Sequence, residues 1–363
     1  MEIFRVLIKA PKHITDINPY VPGKPIEELE RELGITGSIK LASNENPLGP
    51  SPLAIAEAQR IIASVNRYPD GGSYRLISAL SLHLNVRHEE IIIGHGSNEL
   101  LDIAARTFMQ PGDEAVMGHP SFVVYHNSTQ KVNGVPVAVA LTADKRHDLK
   151  AMAAKITQKT KIVFIANPNN PTGTIVTREE FDDFMEQVRD DILVVVDEAY
   201  FEYVADSFYA DSIKHFKSGK TILILRTFSK IYGLAGLRIG YGIANPEIIN
   251  EMNKVREPFN TNSLAQAAAI AALTDTQHVT GSVAINEAGK AFLYGELSKM
   301  NVDFTKTQTN FIYIDVKKDA KGIYKKMLQK GMIVRPMGEN ALRVTVGLPE
   351  ENESFIRIFK EVI

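Results

Sequence analysis

Asp191-Ile192-Leu193-Val194-Val195-Val196-Asp197-Glu198-Ala199-Tyr200 is the stretch from which the fold can be read. Five consecutive apolar residues, four of them β-branched, are too short for an ordinary helix and match a strand covered on both faces. The run then closes on a carboxylate, which would be costly to bury without a partner. Working outward, residues 91–94, 115–118, 135–140, 161–166, 221–225 and 239–244 read as further strands, with helical patterns such as 99–109 and 178–188 between them. Strands alternating with helices predict an α/β fold, with a mostly parallel central sheet covered by helices. After about residue 257 the rhythm changes. Helical stretches at 263–273 and 282–300 are followed by 310–316, a helix at 322–330, then 333–335, 342–346 and a final helix, together a smaller α+β unit. The first 45 or so residues, with Pro11, Pro19, Pro22 and Pro25, read as an extended arm carrying one short helix at 26–33. The expected organisation is therefore an arm and part of a small domain over 1–45, a large domain over 46–257 and a small domain over 258–363.

Composition narrows the functional classes. A chain of 363 residues suits about two or three units. Lys plus Arg number 41 against 43 Asp plus Glu, with no long run of one sign, so neither nucleic acid nor an anionic membrane is an expected partner. The absence of cysteine excludes disulfides, thiolate metal sites and cysteine nucleophiles. The nine histidines show no metal-site spacing; His83 and His88, for instance, do not share a helix face, and no metal is expected. Residues 1–10 lack the order of a signal peptide, and 260–274 is too short and polar to span a bilayer. A soluble, cytoplasmic protein is the expectation.

Ligands of open α/β sheets bind beyond the carboxyl ends of the strands. Four segments obey that rule: Gly96-Ser97-Asn98, residues 167–170, residues 197–200 and residues 227–230 each follow a predicted strand. Lys230 stands in Arg226-Thr227-Phe228-Ser229-Lys230, with Arg238 eight residues on. A lysine taken at random is a solvated surface residue. Here the hydroxyls of Thr227 and Ser229 and the nearby guanidinium favour a desolvated amine able to form a Schiff base. Asp197 is either a cap or the partner of a protonated ring nitrogen, and Tyr200 and Asn170 would then donate to a ring oxygen. Ser97 and Asn98, at a strand–glycine–helix junction, suit a phosphate as well as a plain N-cap. Phe122 is either a core residue or a cover for a ring face. Arg343 interrupts an apolar strand, where a bidentately gripped carboxylate or a structural salt bridge would account for it. Taken together, these groups are the protein side of a pyridoxal-phosphate site, in which the cofactor is the electron sink.

Over essentially its whole length the chain resembles the class II aminotransferases of pyridoxal-phosphate fold type I, and most of all the histidinol-phosphate aminotransferases. The resemblance rests on Asn18-Pro19-Tyr20-Val21-Pro22-Gly23-Lys24-Pro25, Leu41-Ala42-Ser43-Asn44-Glu45-Asn46-Pro47, Arg67-Tyr68-Pro69-Asp70 and the segment from Arg226 to Lys230. It implies that Lys230 is the Schiff-base lysine and Asp197 the partner of the ring nitrogen. Tyr200 and Asn170 are similar to the ring-oxygen donors, and Ser97, Thr227, Ser229 and Arg238 to the phosphate cradle. Tyr68 resembles a tyrosine that reaches the cofactor phosphate of a neighbouring subunit, which implies a homodimer. Arg343 resembles a carboxylate clamp, and Tyr20 and Arg335 residues that hold the substrate's phosphate. The implied reaction is reversible amino transfer from glutamate to imidazole-acetol phosphate, giving histidinol phosphate and 2-oxoglutarate in histidine biosynthesis. An aromatic or broad-specificity aminotransferase and a threonine-phosphate decarboxylase are the alternatives on the same frame, and a non-catalytic cofactor sensor the alternative outside enzymes. One departure is the short segment 336–340 between the two late arginines, which points to a trimmed loop near the substrate end.

Overall fold

Strand Leu193–Asp197 lies in the middle of a seven-stranded sheet in the computed structural model, which describes residues 8–363. Most of the opening segment read for a signal peptide falls outside that range. In chain order the strands are β1 (Ile91–Gly94), β2 (Glu114–His119), β3 (Val135–Ala140), β4 (Thr160–Ala166), β5 (Leu193–Asp197), β6 (Ile222–Thr227) and β7 (Gly240–Ala244). Their order across the sheet is β1-β7-β6-β5-β4-β2-β3. Only β7 runs antiparallel to its neighbours. The five-residue apolar run behaves as its sequence dictates. Val194 and Val196 join one hydrophobic core, Leu193 and Val195 the other, because successive side chains leave opposite faces of a strand.

One face of the sheet is covered by helices Ser97–Phe108, Val123–Lys131 and Pro246–Val255, through residues such as Leu100, Leu101, Tyr125 and Met252. The other is covered by Tyr74–Leu84, Leu149–Ala154, Arg178–Gln187, Ser212–Lys217 and Ser263–Thr274. The last of these presents Ala265, Ala268, Ala269 and Ala272 to the large core.

A second, antiparallel sheet contains β8 (Asp303–Thr305), β9 (Phe311–Asp315), β10 (Arg335–Met337) and β11 (Ala341–Thr345), in the order β10-β11-β9-β8. It packs on helices Thr276–Lys299, Ala320–Gln329 and Pro349–Val362 through Leu293, Leu297, Met327, Phe355 and Phe359. The packing therefore changes over along Thr276–Lys299, because the helix before it serves the large sheet. We propose the domain division there, downstream of the expected 257/258. The stretch read as 282–300 begins earlier, at Thr276, where Asp275 caps the helix by accepting from the His278 N–H at 3.1 Å.

The N-terminal segment contains the expected helix Ile26–Leu33 and a four-residue helix, Lys12–Thr15. It is tied down further along, where Ile39–Lys40 pairs in parallel with Met332–Ile333. The single strand expected at 333–335 is thus divided: Met332–Ile333 holds the arm and Arg335 opens β10 in the small sheet. No helix among the described residues is long and apolar enough to cross a membrane.

Candidate active site

The carboxyl ends of β1, β2, β4, β5 and β6 open onto one cavity of about 260 Å³. Its wall includes Ser97, Asn98, Phe122, Asn170, Asp197, Tyr200, Thr227, Ser229, Lys230, Arg238, Tyr20 and Arg343. Twelve of the fourteen residues singled out from sequence are therefore brought together. Arg335 and Tyr68 are not on that wall.

Lys230 is half-buried, and its Nζ donates to the Ser43 carbonyl at 3.3 Å. Desolvation lowers its pKa to about 8, helped by the positive charge of Arg343 and, less strongly, of Arg238. Arg343, from the other sheet, thus exceeds the Arg238 that the sequence put first. Asp197 is buried at the end of β5, and burial pushes its pKa up to about 6. Opposing that rise are the Tyr125 hydroxyl, donating to Oδ2 at 2.9 Å, and the Ala199 N–H, donating to Oδ1 at 3.2 Å. The Tyr200 hydroxyl accepts from Asn44 Nδ2 at 2.7 Å, and burial raises its pKa to about 12, so it keeps its proton for donation.

Below these groups lies an anion-shaped corner. Ser97 opens the twelve-residue helix after β1, whose free N–H groups favour negative charge. Thr227 donates to Ser229 Oγ at 3.0 Å, and Arg238 Nη1 reaches the same oxygen at 3.3 Å. Two glycines leave the space open: a Cβ on Gly96 (φ +76°) would stand 2.6 Å from Arg238 Nη2, and one on Gly240 would stand 2.7 Å from the Ser97 nitrogen. Behind the corner, buried Arg226 pairs with Glu198 at 2.8 Å, tying the end of β6 to the turn after β5.

The last part of the site is a hairpin. Residues 338–340 form its turn: Met337 pairs with Ala341, and Gly338 adopts φ +68°. In that register Arg335 lies directly opposite Arg343. Like charges so placed destabilise a sheet. Arg343 donates to Asn170 Oδ1 at 2.6 Å and to the Ala42 carbonyl at 2.8 Å, while its Nε is buried without a hydrogen-bond partner among the described residues. Arg335 donates to the Val21 carbonyl at 2.7 Å and lies 5.4 Å from the centre of the Tyr20 ring. Tyr68 is 82% exposed, stacks on Phe259 at 4.8 Å and does not line the cavity of its own chain.

A family model of class I and II aminotransferases matches residues 36–359. The chain belongs to that family. A histidinol-phosphate aminotransferase of Moorella thermoacetica is 49% identical over 98% of this chain and 93% of its own length. One from Caldicellulosiruptor saccharolyticus is 45% identical over 96% and 99%. Among solved structures, the histidinol-phosphate aminotransferase of Sinorhizobium meliloti in complex with pyridoxal-5'-phosphate superposes with a TM-score of 0.91 at 25% identity, covering 99% of each chain.

Two contributors have no role assigned from the sequence, although Asn44 lies within the motif from Leu41 to Pro47. Asn44 and Tyr125 sit far from Asp197 and Tyr200 in the chain, and neither follows its partner by a spacing that would betray the contact. The pairing of Arg335 with Arg343 was within reach, since the two stand symmetrically about the turn at Glu339.

Proposed function

We propose that the cavity holds pyridoxal 5'-phosphate at Lys230 and transfers an amino group between glutamate and imidazole-acetol phosphate, giving histidinol phosphate and 2-oxoglutarate. This is a reversible step of histidine biosynthesis. The observation that carries the reading is the Arg335–Arg343 pair beside a cavity that already contains a low-pKa lysine and a buried carboxylate. Two facing guanidiniums are best explained by anionic substrates that lie against them. The relatives named above are histidinol-phosphate aminotransferases over nearly their full length, in keeping with this assignment.

The residues suit the cofactor. Ser97, Thr227 and Ser229, with Asn98 and Arg238, would hold its phosphate where Gly96 and Gly240 leave room. Phe122 would cover one ring face. Tyr200 and Asn170 would donate to the ring oxygen: Tyr200 accepts from Asn44 and retains its O–H, and Asn170 uses its oxygen on Arg343 and retains its N–H groups. Asp197 would accept a hydrogen bond from the protonated ring nitrogen. When bound, the cofactor supplies an electron sink for the bonds at the substrate's amino-bearing carbon. The Lys230 amine, neutral in a good fraction of molecules near pH 8, is placed to attack a carbonyl carbon and then to carry a proton to and from the substrate carbon. Arg343 would take the carboxylate of glutamate, while Tyr20 and Arg335 would take the phosphate of histidinol phosphate, so one site serves both substrates. Tyr68, exposed and absent from its own cavity wall, would reach the cofactor phosphate of a second subunit in a homodimer. An enzyme acting on small soluble metabolites fits the cytoplasm.

The test has two parts. Borohydride should fix the cofactor to Lys230; peptide mapping that finds it on another lysine overturns the site. Purified enzyme should then turn over histidinol phosphate with 2-oxoglutarate. Arg335→Ala should impair the phosphorylated substrate on the order of a hundredfold more than phenylalanine, since a charge-assisted contact to a dianion is lost. Equal effects on phenylalanine, tyrosine and histidinol phosphate would favour a broad aromatic aminotransferase. Release of CO₂ from threonine phosphate would favour the decarboxylase.

A further inference from the structure

We propose that Tyr125 is a positioning residue whose hydroxyl holds Asp197 in its cavity-facing orientation and keeps that carboxylate ionised for the cofactor's ring nitrogen. The inference rests on the cofactor reading above and extends it to a residue outside the motifs. Tyr125 is buried in the helix Val123–Lys131, and its ring cannot turn freely. It lies parallel to Phe164 at 5.0 Å and 5°, and meets Phe122 edge-on at 5.7 Å and 85°. The hydroxyl is thereby delivered to Asp197 Oδ2 at 2.9 Å.

That bond has one sense only. Burial and the neighbouring carboxylate raise the Tyr125 pKa well above the ordinary tyrosine value, so the oxygen keeps its proton and donates. The other Asp197 oxygen receives only the longer bond from the Ala199 N–H, and among the described residues the Asp197 side chain has no third hydrogen-bond partner. The charged and titratable groups around Asp197 are Lys230 after β6, Glu198 and Tyr200 after β5, and Tyr125 itself. Lys230 favours the charged carboxylate and Glu198 opposes it. Desolvation already brings Asp197 close to half-protonated near pH 6, so the loss of its shorter donor would carry protonation into the neutral range. A protonated carboxyl could no longer hold a proton on the ring nitrogen. Tyr125 also touches Phe122, so one ring supports both the nitrogen partner and the ring cover.

Tyr125→Phe keeps the stacking and removes only the hydroxyl. Pyridoxal 5'-phosphate should be titrated into cofactor-free protein across pH, following the absorbance of the bound cofactor, in the parent, Tyr125→Phe, Asp197→Asn and the double variant. Tyr125→Phe should bind about tenfold more weakly near neutral pH, with the acid edge of binding moved up by about one pH unit. On the Asp197→Asn background it should cost little more. Incorporation of a fluorotyrosine at position 125, a stronger donor of nearly the same shape, should move the edge down, which a merely packing role would not. Unchanged binding in Tyr125→Phe, or a loss that adds in full to that of Asp197→Asn, overturns the inference alone. A parent protein that takes up no cofactor overturns the site reading and the inference together.

Discussion

Burial raises the proton affinity of Asp197 above that of an unfolded aspartate, and this has a consequence for stability. The unfolded pKa is about 3.9 and the folded value about 6, so between these the folded chain holds the extra proton. Stability of the cofactor-free protein therefore falls as pH rises from about 4 to about 6, and the loss is complete above that window. Asp197→Asn should remove it, making the cofactor-free fold more stable at pH 8 by on the order of 2 kcal/mol. The same variant should retain cofactor but lose most of its turnover, because a neutral amide cannot keep the ring nitrogen protonated. Such a loss falls on the rate more than on binding. Urea unfolding at pH 4, 6 and 8 measures the first effect and steady-state assays the second. A variant that turns over like its parent makes Asp197 a strand-end cap. Function and folding pull in opposite directions at this residue.

At the scale of elements, what the sequence could reveal followed from local pattern. The strands of the large sheet were readable because buried parallel strands are continuous apolar runs with sharp ends, and four of the site segments followed directly from those ends. Helix Pro52–Ile61 was not read, although Ser51 caps it and Pro52 opens it, because two exposed apolar residues, Leu53 and Ile55, blur its polar face. The antiparallel sense of β7 was equally hidden, since strand direction depends on the connection and not on the strand. Contacts such as Tyr125–Asp197 and Asn44–Tyr200 depend on how distant segments meet, and no local period encodes them. Two element-scale predictions follow from geometry. Arg335→Ala relieves a like-charge cross-strand pair, so it should leave stability unchanged or raise it by up to about 1 kcal/mol while it impairs the phosphorylated substrate. Thermal unfolding of the two proteins without substrate checks the sign. Gly96→Ala forces a Cβ to 2.6 Å from Arg238 at a left-handed residue. It should weaken cofactor retention by about tenfold or more, measured by dialysis of the loaded enzyme, because the guanidinium must leave the phosphate corner.

At the scale of the whole molecule, the exposed apolar residues bear on assembly. Leu53, Ile62, Val65, Tyr68, Tyr74 and Phe259 are all large, apolar or aromatic, and between 48% and 82% exposed. Exposed apolar side chains occur singly on any surface, but five within residues 53–74, with Phe259 stacked on Tyr68, are what a face covered by another molecule would present. Tyr68 is among them and does not line the cavity of its own chain, as expected of a residue that serves a twin subunit. If each site of a homodimer borrows Tyr68 from the other chain, then two defective proteins can repair each other. Tyr68→Phe lacks the donated hydroxyl and Lys230→Ala lacks the amine. In a mixed dimer, one site carries both defects and the other carries neither. Mixing the two variants under conditions that exchange subunits should therefore restore up to about a quarter of the parental activity, since about half the dimers are hybrids with one intact site of two. Lys230→Ala alone should be inactive, and Tyr68→Phe alone should show a clear deficit against which recovery is read. Exchange demonstrated by a tagged subunit, with no recovery above the Tyr68→Phe background, would mean that each chain completes its own site and that the exposed face serves some other contact.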